Sequence, residues 1–371
     1  MSTTHSLLIL RLVVTGLTGL TGLTALTVAG CHPAPRAQAA TTPADFSIIR
    51  SYGWDTEVVD PQPQWSPDDY RLVVRDSGGF EILSGDDGST PPDVYRSVEG
   101  RDTYFPIWLD SDHVLFGPSH NVERLTDGRV VPDVQGLTRV LIGSRPENKQ
   151  FASVGYHPRL GHGKIFAQSE DHIVTIDALG HDEEFGPGFY AQPEAGRKGD
   201  ADGSGEGVAW QETPVFETDW WTGKPVRSDL VIHWPKGQVD LLLAGVQPAW
   251  SGHGGLAATV LRADPVPGVS WWKAGTDVVY IAHPGAAPVT ICHDAREPAC
   301  DPRLPIIAVT TTAGEVLLCS QDGTQSKDLG PGSNPVWSFD GERLAVLDPV
   351  SDAARHGNHI TIYVLSTRPS P

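Results

Sequence analysis

The chain repeats itself. The segment Gln62-Pro63-Gln64-Trp65-Ser66-Pro67-Asp68-Asp69-Tyr70-Arg71-Leu72-Val73-Val74 returns as Asn334-Pro335-Val336-Trp337-Ser338-Phe339-Asp340-Gly341-Glu342-Arg343-Leu344-Ala345-Val346. A third copy is Gln247-Pro248-Ala249-Trp250-Ser251-Gly252, running on to Leu256-Ala257-Ala258. A fourth, Phe105-Pro106-Ile107-Trp108-Leu109-Asp110, keeps the pattern with a changed turn, and weaker copies centre on Tyr156 and Trp210. In each, Pro opens a short strand that ends in an aromatic, a tight turn follows, and an apolar run forms the next strand. A single unit of this size cannot bury its own apolar faces, so the copies must pack on one another.

Unit starts at Trp65, Trp108, Tyr156, Trp210, Trp250, near Leu304, and at Trp337 give one unit per roughly 40 to 50 residues, the length of a four-stranded propeller blade. At these residues the chain resembles the TolB-like, WD40-like propeller repeat family, whose signature is an aromatic-Ser-Pro-Asp-Gly turn between a blade's first two strands. The resemblance covers most of residues 45 to 366. It implies an all-β fold, a β-propeller, and a family commonly extracytoplasmic and active in binding or assembly. Seven blades are expected, with six as the alternative if Leu304 to Gly332 merges with its neighbour. The last unit supplies three strands, from Trp337, Arg343 to Leu347, and Ile360 to Leu365. Within Phe46 to Val59, one of the strand-like patches Ile48-Ile49 and Val58-Val59 is expected to join it as the outer strand, closing the ring and removing an exposed edge.

Composition agrees with a fold built on turns. Of 371 residues, 40 are Gly and 31 are Pro, which long helices do not tolerate in their interiors. The formal net charge of −19 argues against a nucleic-acid partner, because binding phosphates needs a basic face.

The N-terminus carries a different signal. Leu12 to Gly30 is uncharged, rich in Leu, Val, Ala, Gly and Thr, and preceded by the single fixed positive charge Arg11. A transmembrane helix is one reading of such a run; its repeated Gly and Thr make it a poor permanent span. It ends in Val28-Ala29-Gly30-Cys31, which resembles a bacterial lipobox. The resemblance implies lipidation (palmitate among the acyl groups) of Cys31, cleavage before it, and a membrane-anchored mature protein; an ordinary signal peptide is the alternative. Residues 1–30 are thus read as a lipoprotein signal peptide, 31–44 as a flexible tether and 45–371 as the propeller. The location expected is the cell envelope, on the extracytoplasmic side of a bacterial membrane, inner or outer being open.

Three further cysteines follow. Cys292 and Cys300 bracket a short polar loop that a disulfide could staple, while Cys319 sits in an apolar run and reads as a buried free thiol. No Cys or Cys-His spacing suggests zinc. Asp200, Asp202, Ser204 and Glu206 put oxygens at alternate positions, as at the start of a calcium loop, but position twelve is Gln211 rather than Glu. An acidic surface loop is the plainer reading, and no other cofactor is implied. His157, His162, His172 and His181 could line a propeller mouth or simply face solvent. Trp220-Trp221 and Trp271-Trp272 could stack on a ligand or pack between blades.

No G-x-S-x-G, P-loop or H-E-x-x-H motif is present. Two function classes follow. One is a non-enzymatic propeller binding an envelope protein, peptide or glycan. The other is a propeller enzyme, a polysaccharide lyase or glycosidase, with His and carboxylates gathered at the channel mouth. The missing catalytic motif favours the first.

Overall fold

A computed structural model describes residues 43, 46–56, 63–76, 79–84, 93–96, 103–118, 122–124, 130–132, 137–142, 149–152, 156–161, 164–169, 172–193, 207–211, 229–235, 237–263, 275–349 and 358–366. The proposed lipidation site Cys31, the acidic quartet Asp200, Asp202, Ser204 and Glu206, His162, and both Trp pairs lie outside these residues.

The described strands are all antiparallel and form seven four-stranded sheets and one small hairpin. The first strand, β1 (Ser47–Thr56), belongs to the last sheet. Blade 1 is β2 (Gln64–Trp65), β3 (Arg71–Asp76), β4 (Gly79–Ser84) and β5 (Asp93–Arg96). Blade 2 is β6 (Thr103–Trp108), β7 (His113–Pro118), β10 (Leu137–Leu141) and β11 (Lys149–Ala152), with the hairpin β8 (Val122–Arg124) and β9 (Val130–Pro132) inserted. Blade 3 is β12 (Tyr156–Gly161), β13 (Lys164–Ser169), β14 (His172–Ile176) and β15 (Asp182–Pro187). Blade 4 is β16 (Phe189–Pro193), β17 (Val208–Gln211), β18 (Leu230–His233) and β19 (Val239–Leu242). Blade 5 is β20 (Gly245–Trp250), β21 (Leu256–Leu261), β22 (Thr276–Ile281) and β23 (Val289–His293). Blade 6 is β24 (Ala295–Cys300), β25 (Ile306–Thr311), β26 (Glu315–Ser320) and β27 (Ser326–Pro331).

Blade 7 is β28 (Ser333–Trp337), β29 (Arg343–Pro349) and β30 (Asn358–Ser366), completed by β1 on the outer side. Its register runs from Ser47 opposite Ser366 to Thr56 opposite Asn358. The expected closure is therefore present. The sequence end is paired with the sequence start, so no long apolar edge is left on β30.

Second strands are apolar in their central residues because blades pack on both of their faces. Leu256, Ala257 and Ala258 are fully buried, as are Ile306, Ile307, Ala308 and Val309. Outer strands meet water and are polar, as in the exposed Asp182-Glu183-Glu184 of β15. The core is thus a series of inter-blade layers. One layer joins Ile306, Leu318 and Val316 to Trp337, Leu344 and Phe46.

The repeat has a structural cause visible in the register. Six inner strands carry a bulge at or beside the X-Pro step, for example between Val246 and Ala249, Arg296 and Ala299, and Ser333 and Val336. Aligned on these bulges, three sequence-based unit starts shift. Trp210 lies on β17, a second strand, and the inner strand of that blade is β16. The unit placed near Leu304 begins at β24, with Leu304 in the following turn. In β12 the bulge follows Tyr156, so Leu160 rather than Tyr156 stands where other blades place Trp. Each error has one reason: Pro193, Cys300 and Leu160 replace the indole, so a search for aromatics slips along the chain.

Candidate functional site

Each indole at the end of an inner strand hydrogen-bonds the preceding blade. Trp108 Nε1 donates to the Gln64 carbonyl at 3.2 Å, Trp250 to Gln192 at 2.8 Å, and Trp337 to Ala299 at 3.0 Å. Trp65 donates to Val336 at 3.0 Å, joining the first blade to the last. In blade 6 the same position is Cys300, whose Sγ donates to Ala249 at 3.4 Å. The donor role survives the loss of the ring. Burial raises the Cys300 thiol to about 12.

The bulge residues build the wall of the channel side. Gln247, Glu297 and Asn334 adopt φ of 49°, 55° and 49°, a region costly for residues with a side chain. The Gln247 and Glu297 side chains offset that cost by capping the next blade. Gln247 Oε1 accepts from the Glu297 N–H at 3.1 Å, and Glu297 Oε2 accepts from the Asn334 N–H at 2.9 Å. Thr259 donates to the same Gln247 oxygen at 3.1 Å, and Arg296 pairs with the other Glu297 oxygen. Inner strands have a free edge toward the axis, and this relay satisfies backbone donors that would otherwise be unpaired there. Its equivalents in blades 2 to 4 are Phe105, His157 and Tyr190, by bulge position. In blades 5 and 6 this position therefore carries an amide and a carboxylate, each engaged with a backbone donor of the next blade.

One face of the ring is locked. Ser66 and Ser338 accept from the Arg71 and Arg343 N–H at 3.0 Å each, closing the Ser-x-Asp turns. Arg343 Nη1 donates to the Asp69 carbonyl at 2.8 Å, linking the turns of blades 7 and 1. Arg71 reaches the Ser111 carbonyl and lies 4.8 Å over the Trp108 ring, linking blades 1 and 2. His253 Nε2 donates to the Arg303 carbonyl at 2.7 Å, linking blades 5 and 6. At the serine position of blade 6 stands Asp301, fully buried. Its Oδ1 accepts from the Arg303 and Leu304 N–H at 2.7 and 3.0 Å, while Oδ2 has no hydrogen-bond partner. Burial raises its carboxyl to about 6.

The opposite face collects long connections. Segments 119–136, 212–229, 262–275 and 350–357 all join a second strand to a third, and so leave and rejoin the blades there. The locked face carries one connection longer than ten residues, 194–207, and the opposite face carries three, 119–136, 212–229 and 262–275.

The described histidines do not converge. His113 lies 2.9 Å from Asp110, His172 3.6 Å from Glu184, and His181 3.1 Å from Asp177. His293 lies 3.2 Å from Asp277 and His359 2.8 Å from Asp55. Each pair is local to one blade's turns or outer strands. His172 and His181 thus sit away from the inner strands, and the His157 side chain lies outside the described residues. Among the described residues no group of three His, Cys, Asp or Glu is placed to hold a metal.

Cys319 is buried and free as expected, while Cys292 and Cys300 are placed differently from the expected bridge. All three thiols are free. Cys300 is on an inner strand, turned to Ala249, whereas Cys292 is on the outer strand β23 and meets Cys319 of β26. Cys300 and Cys319 both pair with Ile307, from opposite sides, which puts them two strand spacings apart, about 9 to 10 Å. The pairing of Cys292 with Cys300 is not the juxtaposition the fold makes. Their closeness in sequence misleads because the chain crosses from an outer to an inner strand between them.

No protein-family model matches the chain, and no curated protein matches it. Solved structures do. A chain of the mitotic checkpoint complex is 13% identical, with 92% of this chain and 99% of that one covered and a TM-score of 0.53. An oligogalacturonate lyase from Vibrio parahaemolyticus is 9% identical over 86% and 97%, with a TM-score of 0.51. The Pan2 WD40 domain of Neurospora crassa is 10% identical over 89% and 98%, with a TM-score of 0.50. At such identities the likeness establishes the fold alone: this chain is a β-propeller of four-stranded antiparallel blades, of the shape shared by WD40 domains and that lyase.

Proposed function

We propose that the protein is a lipid-anchored, extracytoplasmic propeller of TolB-like type, acting as a binding or assembly module for an envelope protein, peptide or glycan. The observation that carries the binding role is the asymmetry of the ring. One face is tied blade to blade through its turns, and of the four connections longer than ten residues between described blade strands, three join strands at the other. A rigid scaffold presenting variable loops is the arrangement in which recognition surfaces are commonly built. The anchor rests on Val28-Ala29-Gly30-Cys31 directly after an uncharged run. An acidic head of this kind is then held by acyl chains and not by anionic headgroups.

The enzyme alternative, a polysaccharide lyase or glycosidase, requires His and acids that meet at the channel. The five described His-carboxylate pairs lie apart on separate turns and outer strands, which supports the binding reading.

Two measurements test it. Metabolic labelling with a fatty-acid analogue should mark the wild type and not Cys31→Ser; equal labelling refutes the anchor. Affinity capture from native envelopes, paired with a glycan array, should retain a ligand that loop-face substitutions release. Cleavage of an arrayed glycan would instead establish the enzyme.

A further inference from the structure

We propose that Cys292 and Cys319 form a redox-responsive pair that closes a disulfide between blades 5 and 6. The two residues come from different blades and pack in one cluster with Ile291, Val278 and Ile307. The turn joining β26 to β27 lies backbone to backbone on β23. A Cβ at Gly323 would stand 2.7 Å from the Thr290 carbonyl oxygen and 3.1 Å from Ile291 Cα. That close approach holds β26 against β23 and brings the two thiols, one on each strand, together in that cluster.

Their environments differ in a way that orders the chemistry. Cys292 is half-buried and reachable by a small molecule, whereas Cys319 is 1% exposed. Hydrogen bonding from Cys319 holds the Cys292 thiol below its ordinary range, and the same contact together with burial raises Cys319. Cys292 is thus the attacking thiolate and Cys319 the resolving thiol. The oxidant is a small-molecule disulfide. The Cys292 thiolate attacks it, forming a mixed disulfide and releasing one thiolate. Cys319 then loses its proton to solvent and attacks the Cys292 sulfur, expelling the second thiolate. The protein pair gives up two electrons, and the small disulfide is reduced to two thiols. Cys300 takes no part, because its sulfur faces the Ala249 carbonyl.

The test is peptide mapping of the full chain. It is incubated with oxidised glutathione, alkylated and digested with trypsin without reduction. Cleavage after Lys273, Arg296, Arg303 and Lys327 puts each cysteine on its own peptide, 274–296, 297–303 and 304–327. The expected product joins 274–296 to 304–327, persists in Cys300→Ser, and is lost in Cys292→Ser and in Cys319→Ala. Oxidation should raise the thermal midpoint by about 5 °C, reversed by reductant. A link between 274–296 and 297–303, a stable glutathione adduct on Cys292, or full alkylation of both thiols would each overturn the proposal. These outcomes are read on wild-type protein, so they do not depend on a variant folding.

Discussion

Trp337 offers the sharpest test of how the ring is held. Its side chain is 8% exposed, packs on Phe46 at a ring separation of 6.2 Å, and donates Nε1 to the Ala299 carbonyl of the preceding blade at 3.0 Å. Trp337→Ala removes both the burial and the donor, at a cost of about 4 kcal/mol for a large core aromatic. Trp337→Phe keeps most of the apolar contact and leaves the Ala299 carbonyl without its partner, at about 1.5 kcal/mol. Unfolding entropy scales with chain length, so each kcal/mol moves the midpoint of a ring of this size by roughly 1.5 °C. Scanning calorimetry should therefore show losses of about 6 °C for Trp337→Ala and about 2 °C for Trp337→Phe. Trp210, which looks similar in sequence, sits on a second strand and packs edge-on to Phe185 at 5.6 Å. Trp210→Phe should move the midpoint by less than about 1 °C. If Trp337→Phe matches the wild type, the inter-blade hydrogen bond contributes nothing. If it matches Trp337→Ala, the division into burial and hydrogen bonding is wrong.

Two further outcomes follow from the locked face. Asp301 has its folded pKa raised to about 6 by burial. Below the unfolded value near 3.9 both states hold the proton; as pH climbs from there to about 6 only the unfolded state releases it, so stability falls across that window. Asp301→Asn, which keeps the acceptor for the Arg303 and Leu304 N–H, should unfold at a higher denaturant concentration than wild type at pH 7.5, with the gap closing toward pH 4. An unchanged gap across that range would refute the assignment. Gly252 lets two turns meet, since a Cβ there would stand 1.8 Å from the Pro302 carbonyl oxygen. Gly252→Ala should cost about 2 to 3 kcal/mol in chemical denaturation. Gly254→Ala has nothing within 4 Å and φ of +87°, and should cost about 1 kcal/mol from backbone strain alone.

The Ser-x-Asp turns and the tryptophans were readable because their chemistry is local. A serine that closes a five-residue turn on Arg71 or Arg343 leaves the same short pattern wherever it occurs. Closure was readable for a related reason: a last unit with three strands needs a fourth, and β1 supplies it. The relay of Gln247, Glu297 and Asn334 left only a weak trace, the polar residue before each Pro. A signal was there, since a polar side chain before Pro in three copies is an oddity for a strand. Its meaning needs the neighbouring blade, where the accepting or donating backbone lies.

The sequence alone determined the repeating strand-turn-strand unit, the propeller it implies and the partner for its last blade, because these follow from turn chemistry and hydrophobic pattern within a few tens of residues. Tertiary structure decided the phase of the degenerate blades, the separation of the histidines and the meeting of Cys292 with Cys319. In a ring of sheets, residues close in sequence are carried to the outer and inner edges of adjacent blades, and residues far apart are brought face to face. Which groups meet is set by blade packing, and no local pattern records it.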